Sequence, residues 1–424
     1  MAGEIIVIGA GLAGAFAAAR LAVAGCRVRV LEGRRRVGGR AFARSLAGSA
    51  DRLEQGGAWI TKGHHRLQRE AARLGLTWRP RTPVTARRWW HGGQLSDGPP
   101  PDQREAHERV LARVAADASQ RAGGHPGVTA SFADYLRALD PPPATRELLS
   151  AWWCLSGNGP WERAPASDLL GACSHHDNTP DGIIGYWHAS LEGGMDRLAA
   201  GLLESTGVPL ELGVAVTALR HHANGVEVET ADGRRLAAEA AILATGLNPL
   251  RRIAFDPPLP EPKRRAVARG HEGIAVKLWV EVQGAEVGVL ATGSGSGIEW
   301  LFAERESGRG TTFLVGFGLA SSAFDPDDRT QVERAVARFF PEARLVAHDR
   351  HDWIGDPFSL GTWVAAPLGQ PEAVAAATWH PEGRLFFASS DFAPDQQGWF
   401  EGAAASGEAA AEAVLAYARR CSAL

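Results

Sequence analysis

The stretch EIIVIGAGLAG, Glu4 to Gly14, decides the fold of this chain. An apolar run ends in Gly9, Gly11 and Gly14 and continues into an alanine-rich segment typical of a helix. Glycines at this spacing allow a tight turn, close approach of the backbone to a pyrophosphate, and close packing of the helix on the strand. The stretch therefore predicts a strand, a phosphate-binding turn and a helix.

A second strand is predicted at Arg27 to Leu31, and it ends in the acid Glu32. Glu32 follows Gly14 by 18 residues, close to the roughly 20 residues at which a carboxylate reaches the ribose hydroxyls of a bound dinucleotide. The pyrophosphate would lie at the N-terminus of the intervening helix, where free N–H groups and the helix dipole favour an anion. This order of elements predicts a dinucleotide site, and the alternative is a glycine-rich turn that binds nothing.

Length and charge limit the classes of protein that fit. A chain of 424 residues is expected to form about two domains. The net charge of −3 offers no basic field for nucleic acid or an anionic membrane, so small molecules are the expected partners. The first strand leaves no room for a leader segment, and no apolar run is long enough to span a bilayer. A cytoplasmic location is expected, and the oligomeric state stays open, with a homodimer as one alternative.

The cysteines and lysines are sparse. No metal-ligand spacing relates the four cysteines, so neither a disulfide framework nor a metal site is predicted for Cys26, Cys154, Cys173 and Cys421. Only Lys62, Lys263 and Lys277 are lysines among 45 basic residues. The basic residues are therefore strongly biased towards arginine. Most arginines reflect this bias, whereas each lysine needs its own explanation.

The coarse pattern predicts an interleaved chain. Helices are expected over 102–140 and 144–170, alternating strands over 210–245 with a hairpin at Asp232-Gly233, further strands over 273–282 and 311–318, and a long final helix. The Arg-, Pro- and Gly-rich stretch 79–101 indicates a crossing between domains. The domains are then predicted as a dinucleotide-binding domain of 1–80, 190–265 and 358–424, and a substrate domain of 81–189 and 266–357.

Downstream of Glu32, the segment EGRRRVGGRAFA resembles the E-A-R-x-R-x-G-G-R segment of the flavin-containing amine oxidases, the family of monoamine and polyamine oxidases. Within that family, HDWIGDPFSLGTWVAAPLGQ, at His351 to Gln370, resembles the L-specific 6-hydroxynicotine oxidase subgroup. The resemblance covers the whole chain. Further blocks that match the family in order are GGAWI from Gly56, GIAVKLWV from Gly273, FASSD from Phe387 and QGWFEGA from Gln397.

The resemblance implies an α/β flavoprotein of two domains, with a Rossmann-like FAD-binding domain and an interleaved substrate domain of mixed sheet and helices. Arg40, with Arg34 as a further candidate, would contact the flavin phosphates, while Arg35 and Arg36 are interpreted as solvated charges. Asp391 stands where the family has a glutamate that contacts the cofactor. Val216 would hold the adenine through its backbone. The residues expected at the cofactor are Gly9, Gly11, Ala13, Gly14, Glu32, Arg34, Gly39, Arg40, Gly57, Ala58, Trp59, Val216, Asp391, Trp399 and Phe400.

Lys277 lies inside the apolar strand Ile274 to Trp279. A buried ammonium is costly and its pKa should fall. An edge-strand lysine facing solvent is the alternative. The family has at this position a lysine that holds a water near flavin N5, and the resemblance implies the same role for Lys277.

By resemblance, Trp363 and Trp399 match positions where many amine oxidases place aromatic rings at right angles to the flavin, although core tryptophan is the alternative for each. Trp59 is expected beside the flavin at the substrate end. Thr362 stands where some relatives have a flavin-linked cysteine, which implies noncovalent FAD. The predicted catalytic residues are Lys277, Trp363, Trp399 and Trp59.

Other residues bear on the substrate. No arginine is found near Trp59 where L-amino-acid oxidases bind a substrate carboxylate, which favours an amine without one. Cys154 and Asn158 fall near a position where nicotine-type relatives orient the substrate with asparagine. His175 and His176 are candidate bases, with surface histidines as the alternative.

The resemblance implies an FAD-dependent amine oxidase in which the amine α-carbon delivers hydride to flavin N5. An imine or iminium leaves, and O₂ is reduced to H₂O₂. One alternative is a flavin-dependent dehydrogenase or desaturase of the same fold that uses another acceptor. The other is a flavin-binding partner protein without catalysis.

Overall fold

The structure is a computed structural model that describes residues 3–46, 48–122, 129–175 and 177–422. Its strands are, in chain order, β1 (Glu4–Ile8), β2 (Arg27–Glu32), β3 (Ala43–Ser45), β4 (Arg52–Glu54), β5 (Trp78–Pro80), β6 (Ala86–His91), β7 (Gln94–Ser96), β8 (Ala189–Leu191), β9 (Leu210–Leu212), β10 (Val216–His222), β11 (Gly225–Thr230), β12 (Arg235–Ala238), β13 (Ala240–Leu243), β14 (Ala254–Asp256), β15 (Ala275–Gln283), β16 (Val289–Gly293), β17 (Trp300–Glu306), β18 (Thr312–Leu319), β19 (Arg344–Asp349) and β20 (Leu385–Phe387).

Helices occur in the predicted regions and also elsewhere. Within the described ranges none is long and apolar enough to cross a bilayer. Short 3₁₀ segments also occur, one of them at Ser390–Phe392. The helices are α1 (Leu12–Val23), α2 (His65–Arg73), α3 (Arg104–Ala122), α4 (Phe132–Leu139), α5 (Pro143–Trp153), α6 (Ser167–Ser174), α7 (Pro180–Tyr186), α8 (Asp196–Thr206), α9 (Glu261–Arg269), α10 (Arg329–Phe339) and α11 (Phe400–Ser422).

A parallel sheet has the strand order β20-β13-β1-β2-β9. Its central strands are buried apolar runs because helices cover the sheet, and α1, α8 and α11 contribute to the core on one face. Gly9 has φ +107°, and a Cβ on Gly14 would lie 1.9 Å from the carbonyl oxygen of Gly9. The chain therefore makes the tight turn, and α1 packs against the strand, as the glycine spacing predicts.

A smaller sheet has the order β12-β11-β10-β14. Its first three strands lie in the sequence between β9 and β13 of the parallel sheet. Strands β11 and β12 pair antiparallel through the predicted turn at Asp232-Gly233, where Gly233 has φ +83°. Val216 is the first residue of β10.

A mixed sheet has the order β19-β15-β18-β17-β16-β6-β7. Helices α3 to α7 pack on one face, where Trp279 and Phe317 belong to the core, and α10 packs on the other against Leu278 and Val280. The stretch 79–101, predicted as a crossing between domains, also contains β6 and β7, which join this sheet. Trp89 and Trp90 alternate between its faces, a strand signal that the surrounding prolines and glycines obscure.

Candidate active site

A cavity of about 1610 Å³ joins the carboxyl ends of β1 and β2 to the face of the mixed sheet that carries Lys277. Ligands of open α/β sheets bind at the carboxyl edge of parallel strands. Gly9, Gly11, Ala13, Glu32 and Val216 line the part next to the parallel sheet. The predicted cofactor residues Arg34, Gly39, Arg40, Gly57, Ala58, Trp59, Trp399 and Phe400 also line the cavity.

The start of α1 is open to this cavity. Gly11 is its N-cap, no side chain caps it, and its first turn holds no acid. The N–H of Gly38 donates to the carbonyl of Ala10 over 2.8 Å. The loop of Gly38, Gly39 and Arg40 therefore lies directly against the turn at Gly9 to Gly11. Free N–H groups at a helix start and glycine backbone on both sides fit a diphosphate. Gly14 does not line the cavity and acts through packing.

Glu32 is 4% exposed at the end of β2. One carboxylate oxygen accepts from the N–H of Ala10 and the other from the N–H of Arg34, both over 2.8 Å. These bonds hold the carboxylate in place and leave lone pairs on both oxygens. The side chain fits the two hydroxyls of a ribose.

Arg40, which lines the cavity, pairs with the fully buried Asp391. Arg40 donates to Asp391 over 2.5 Å and to the carbonyl of Thr362 over 2.7 Å. Asp391 is fully buried and does not line the cavity. Burial raises the pKa of Asp391, but Arg40, His271 and the N–H of Leu247 outweigh it and lower the pKa overall. Asp391 therefore faces the cavity only through Arg40, and its role at the cofactor stays a prediction.

The neighbouring arginines differ in their surroundings. Arg34 donates to Asp356 over 2.9 Å and to the hydroxyl of Ser359 over 2.7 Å, so its guanidinium is already paired. Arg35 is exposed, as predicted. The prediction that Arg36 is a solvated charge is wrong: its guanidinium lies 3.9 Å from the ring of Phe42, and burial lowers its pKa to about 10.

Lys277 is 7% exposed and lines the far part of the cavity. Its Nζ donates to the carbonyl of Gly56 over 2.7 Å and lies 5.2 Å from the ring of Trp59. Burial lowers the pKa of Lys277 to about 8, although the carboxylates of Glu54 and Glu304 partly oppose this change. The edge-strand alternative is wrong, because β15 lies between β19 and β18.

Aromatic rings form the walls around Lys277. Trp59 stacks on Trp187 with ring centroids 4.2 Å apart and planes at 7°. Trp363 and Trp399 both line the cavity and are half-buried. A Cβ added to Gly398 would lie 3.9 Å from Cβ of Trp363, so the backbone just before Trp399 lies beside Trp363. A Cβ on Gly57 would meet the ring of Phe400 at 2.3 Å, so only glycine permits this approach.

Thr362 lines the cavity, and its hydroxyl donates to Asn158 over 2.6 Å. Asn158 does not line the cavity. Its side-chain amide is hydrogen-bonded to Thr362, Trp363 and Ala275. Cys154 is fully buried away from the cavity. Neither residue is therefore placed where a substrate in the cavity would contact it. His175 lines the cavity, and His176 is outside the described residues.

Some cavity residues have no local sequence signal. Trp187, Phe317 and Arg81 come from three different segments and meet only in the folded chain. Arg81 corrects the expectation that no arginine reaches the substrate end. Arg81 follows β5 in the arginine-rich stretch 79–101 and is distant from Trp59 in the sequence, so the residues beside Trp59 do not indicate it.

The site combines three parts: the glycine turns at the start of α1, the carboxylate of Glu32, and the aromatic chamber around Lys277. Together they define a dinucleotide-dependent oxidoreductase. Residues 12–415 match the family model of flavin containing amine oxidoreductases. The chain is 33% identical to (S)-6-hydroxynicotine oxidase of Paenarthrobacter nicotinovorans, over 97% of this chain and 99% of that protein. This chain therefore belongs to the flavin-containing amine oxidoreductase family, and its cofactor is FAD.

Two further similarities are informative. The chain is 27% identical to pseudooxynicotine dehydrogenase of a Pseudomonas species, over 98% of this chain and 86% of that protein. Cyclohexylamine oxidase from Brevibacterium oxydans IH-35A has the same fold, with a TM-score of 0.83 at 19% identity over 98% of this chain and 99% of that one. The two-domain α/β flavoprotein fold and the amine oxidase resemblance are thus confirmed.

Proposed function

We propose that this FAD-dependent amine oxidase holds its flavin noncovalently, oxidises a small amine in the chamber of Trp59, Trp363 and Trp399, and uses O₂ as the acceptor. Bound FAD would supply the two-electron chemistry that oxidises the amine at its α-carbon to an imine or iminium and reduces O₂ to H₂O₂. We further propose that 1–80, 190–265 and 358–424 form the FAD-binding domain, and that 81–189 and 266–357 form the substrate domain.

The chain's own residues bind and orient the reactants. The half-buried rings of Trp363 and Trp399 offer apolar faces to an uncharged amine, whose lone pair is needed for oxidation. Lys277 uses one N–H on Gly56 and keeps two donors for a water or for oxygen. Thr362 has no thiol to bond a flavin, and its hydroxyl is held by Asn158.

The burial of Lys277 among Trp59, Trp279 and Phe317, facing the cavity, carries this proposal. The test is anaerobic mixing of the purified yellow protein with amines, among them (S)-6-hydroxynicotine, pseudooxynicotine and cyclohexylamine, which the names of its relatives suggest. We expect one class of amine to bleach the flavin, and air to restore the colour with one H₂O₂ per amine. A flavin that no amine bleaches would point to a non-catalytic flavin-binding protein.

A dehydrogenase is the second candidate, favoured by the similarity to pseudooxynicotine dehydrogenase. Both candidates predict anaerobic bleaching. They differ in the second step, because a dehydrogenase would recolour slowly in air and rapidly with an artificial electron acceptor. Stopped-flow reoxidation with O₂ and with the acceptor separates them.

A further inference from the structure

A buried acid, Glu54, lies close to Lys277 on the same face of the mixed sheet. Nε1 of Trp279 donates to the carbonyl of Glu54 over 2.7 Å, and Nζ of Lys277 donates to the carbonyl of Gly56 over 2.7 Å. Lys277 and Trp279 are alternate residues of β15, so their side chains point to one face. The chain that follows β4 therefore runs across this face, and the charge of Glu54 acts on the ammonium.

The carboxylate of Glu54 is partly bonded. Glu54 is 6% exposed, and one of its oxygens accepts from the N–H of Met195. The other oxygen is buried without a hydrogen-bond partner. Glu54 does not line the cavity. It can therefore influence a reaction in the cavity only through Lys277.

The two groups titrate together. Burial raises the pKa of Glu54, and Lys277 and the N–H of Met195 oppose this change without cancelling it. Burial lowers the pKa of Lys277, and Glu54 opposes that change. The titration ranges of the acid and the base thus approach each other, so the loss of the first proton belongs to the pair.

The contacts of each group indicate which one loses this first proton. The N–H of Met195 bonds to Glu54 and favours its charged form. The rings of Trp59, Trp279 and Phe317 lie 5.2, 5.5 and 5.9 Å from Nζ of Lys277 and favour the ammonium. The first proton should therefore leave Glu54, and the carboxylate that forms then retains the proton on Lys277.

One more acid acts on Lys277 in the described part of the chain. Glu304, on β17, is buried with one oxygen 3.5 Å from Nε1 of Trp59, and its effect on the pKa of Lys277 is smaller than that of Glu54. Other charged groups act on these two acids: Asp196 and Arg52 on Glu54, and Arg81 and Arg305 on Glu304.

We infer that Glu54 is a positioning residue for the proposed oxidation, and that its carboxylate, supported by Glu304, keeps the proton on Nζ of Lys277 inside the apolar chamber. This inference rests on the proposed function, because a fixed positive charge at this atom would stabilise the negative charge that develops when O₂ is reduced. Glu54 would supply the counter-charge without touching the reactants.

The test measures the protonation of Lys277 directly. The chain has three lysines, so protein labelled with ¹³C-lysine gives few ε-carbon NMR signals, and the one missing from Lys277→Met belongs to Lys277. Its chemical shift is followed with pH in the FAD-loaded enzyme. Glu54→Gln, which keeps an acceptor for the N–H of Met195, should lower the pKa of Lys277 by about one pH unit or more. Glu304→Gln should lower it by less.

Two further variants separate charge from shape. Glu299→Gln is the matched control, because Glu299 is bonded to Ser150 and Cys154 and does not act on Lys277. It should leave the pKa of Lys277 unchanged. Glu54→Asp keeps a carboxylate and should restore most of the pKa that Glu54→Gln loses. An unchanged pKa in Glu54→Gln, or an equal loss in Glu54→Asp, would overturn the inference.

The pH profile of flavin reoxidation gives a second readout. Loss of the ammonium at lower pH should move the alkaline decline of the reoxidation rate in Glu54→Gln to lower pH, by the same amount as the NMR titration. An alkaline decline that stays in place while the pKa of Lys277 falls would show that this charge does not serve the reaction. The flavin-to-protein ratio reports whether each variant has folded. The NMR titration needs no turnover, so failure of all amines to bleach the flavin would count against the proposed oxidation alone.

Discussion

The ammonium of Lys277 donates to the carbonyl of Gly56 over 2.7 Å. This bond ties the mixed sheet to the glycine pair that lines the cavity. The nitrogen is buried beside Glu54, whose own pKa is raised by burial and lowered by Lys277. One cation thus holds two structural units together and faces the chamber in which we place the amine.

Removing this ammonium should slow catalysis. We expect Lys277→Met to slow flavin reduction or reoxidation by at least about tenfold, which corresponds to about 1.4 kcal/mol of barrier. Stopped-flow absorbance of both half-reactions measures it. Lys263→Met is a matched control, because Lys263 is also buried but pairs with Glu382 away from the cavity. Unchanged rates in both half-reactions would exclude Lys277 from the mechanism.

The two tryptophans should govern the amine and not the flavin. Trp363→Ala and Trp399→Ala are expected to lower kcat/KM for the amine by about tenfold or more, because each removes an apolar wall, while FAD stays bound. Steady-state kinetics and the flavin-to-protein ratio provide the readouts. Trp161→Ala changes a half-buried tryptophan outside the cavity lining and should leave kcat/KM unchanged. Loss of folding in the first two variants would mean that these rings serve only the core.

Flavin release tests the role given to Thr362. Heat or acid should liberate FAD into the supernatant, since the hydroxyl of Thr362 is bonded to Asn158 and offers no thiol. The intact mass of the denatured protein should equal that of the polypeptide. A mass higher by one flavin would contradict the prediction.

Stability should fall in mild acid because His64 is buried without charge. Burial lowers the pKa of His64 to about 4 from 6.5, although Glu401 opposes the change. Between these values the unfolded chain binds a proton that the folded chain does not, so the unfolding free energy falls as pH decreases. The total is up to about 3 kcal/mol.

The measurement is chemical denaturation at several pH values for the wild type and for His64→Asn. Asparagine keeps an acceptor for the N–H of Thr61 and cannot be protonated. Over pH 6.5 to 4 the wild type should lose more stability than the variant. Parallel curves would show that the pKa of His64 is the same in the folded and the unfolded chain.

Much of the flavin end was predictable because it is local. Gly9, Gly14 and Glu32 belong to one strand–turn–helix–strand unit, so their spacing alone determines how they meet. The apolar strand around Lys277 likewise indicates a buried ammonium without any knowledge of its partner. By contrast, the pairing of Asp391 with Arg40 joins residues 351 positions apart, and spacing cannot show it.

By itself the sequence determined the parallel sheet, the phosphate turn and the ribose acid, because each depends on neighbouring residues and backbone geometry. Tertiary structure alone decided that Arg81, Trp187 and Phe317 line the substrate end of the cavity. It also decided that the side-chain amide of Asn158 is hydrogen-bonded to Thr362, Trp363 and Ala275. The physical reason is that the chamber is built where separate segments pack together, and the burial that leaves two nitrogens of Arg81 without a hydrogen-bond partner exists only after these segments have packed.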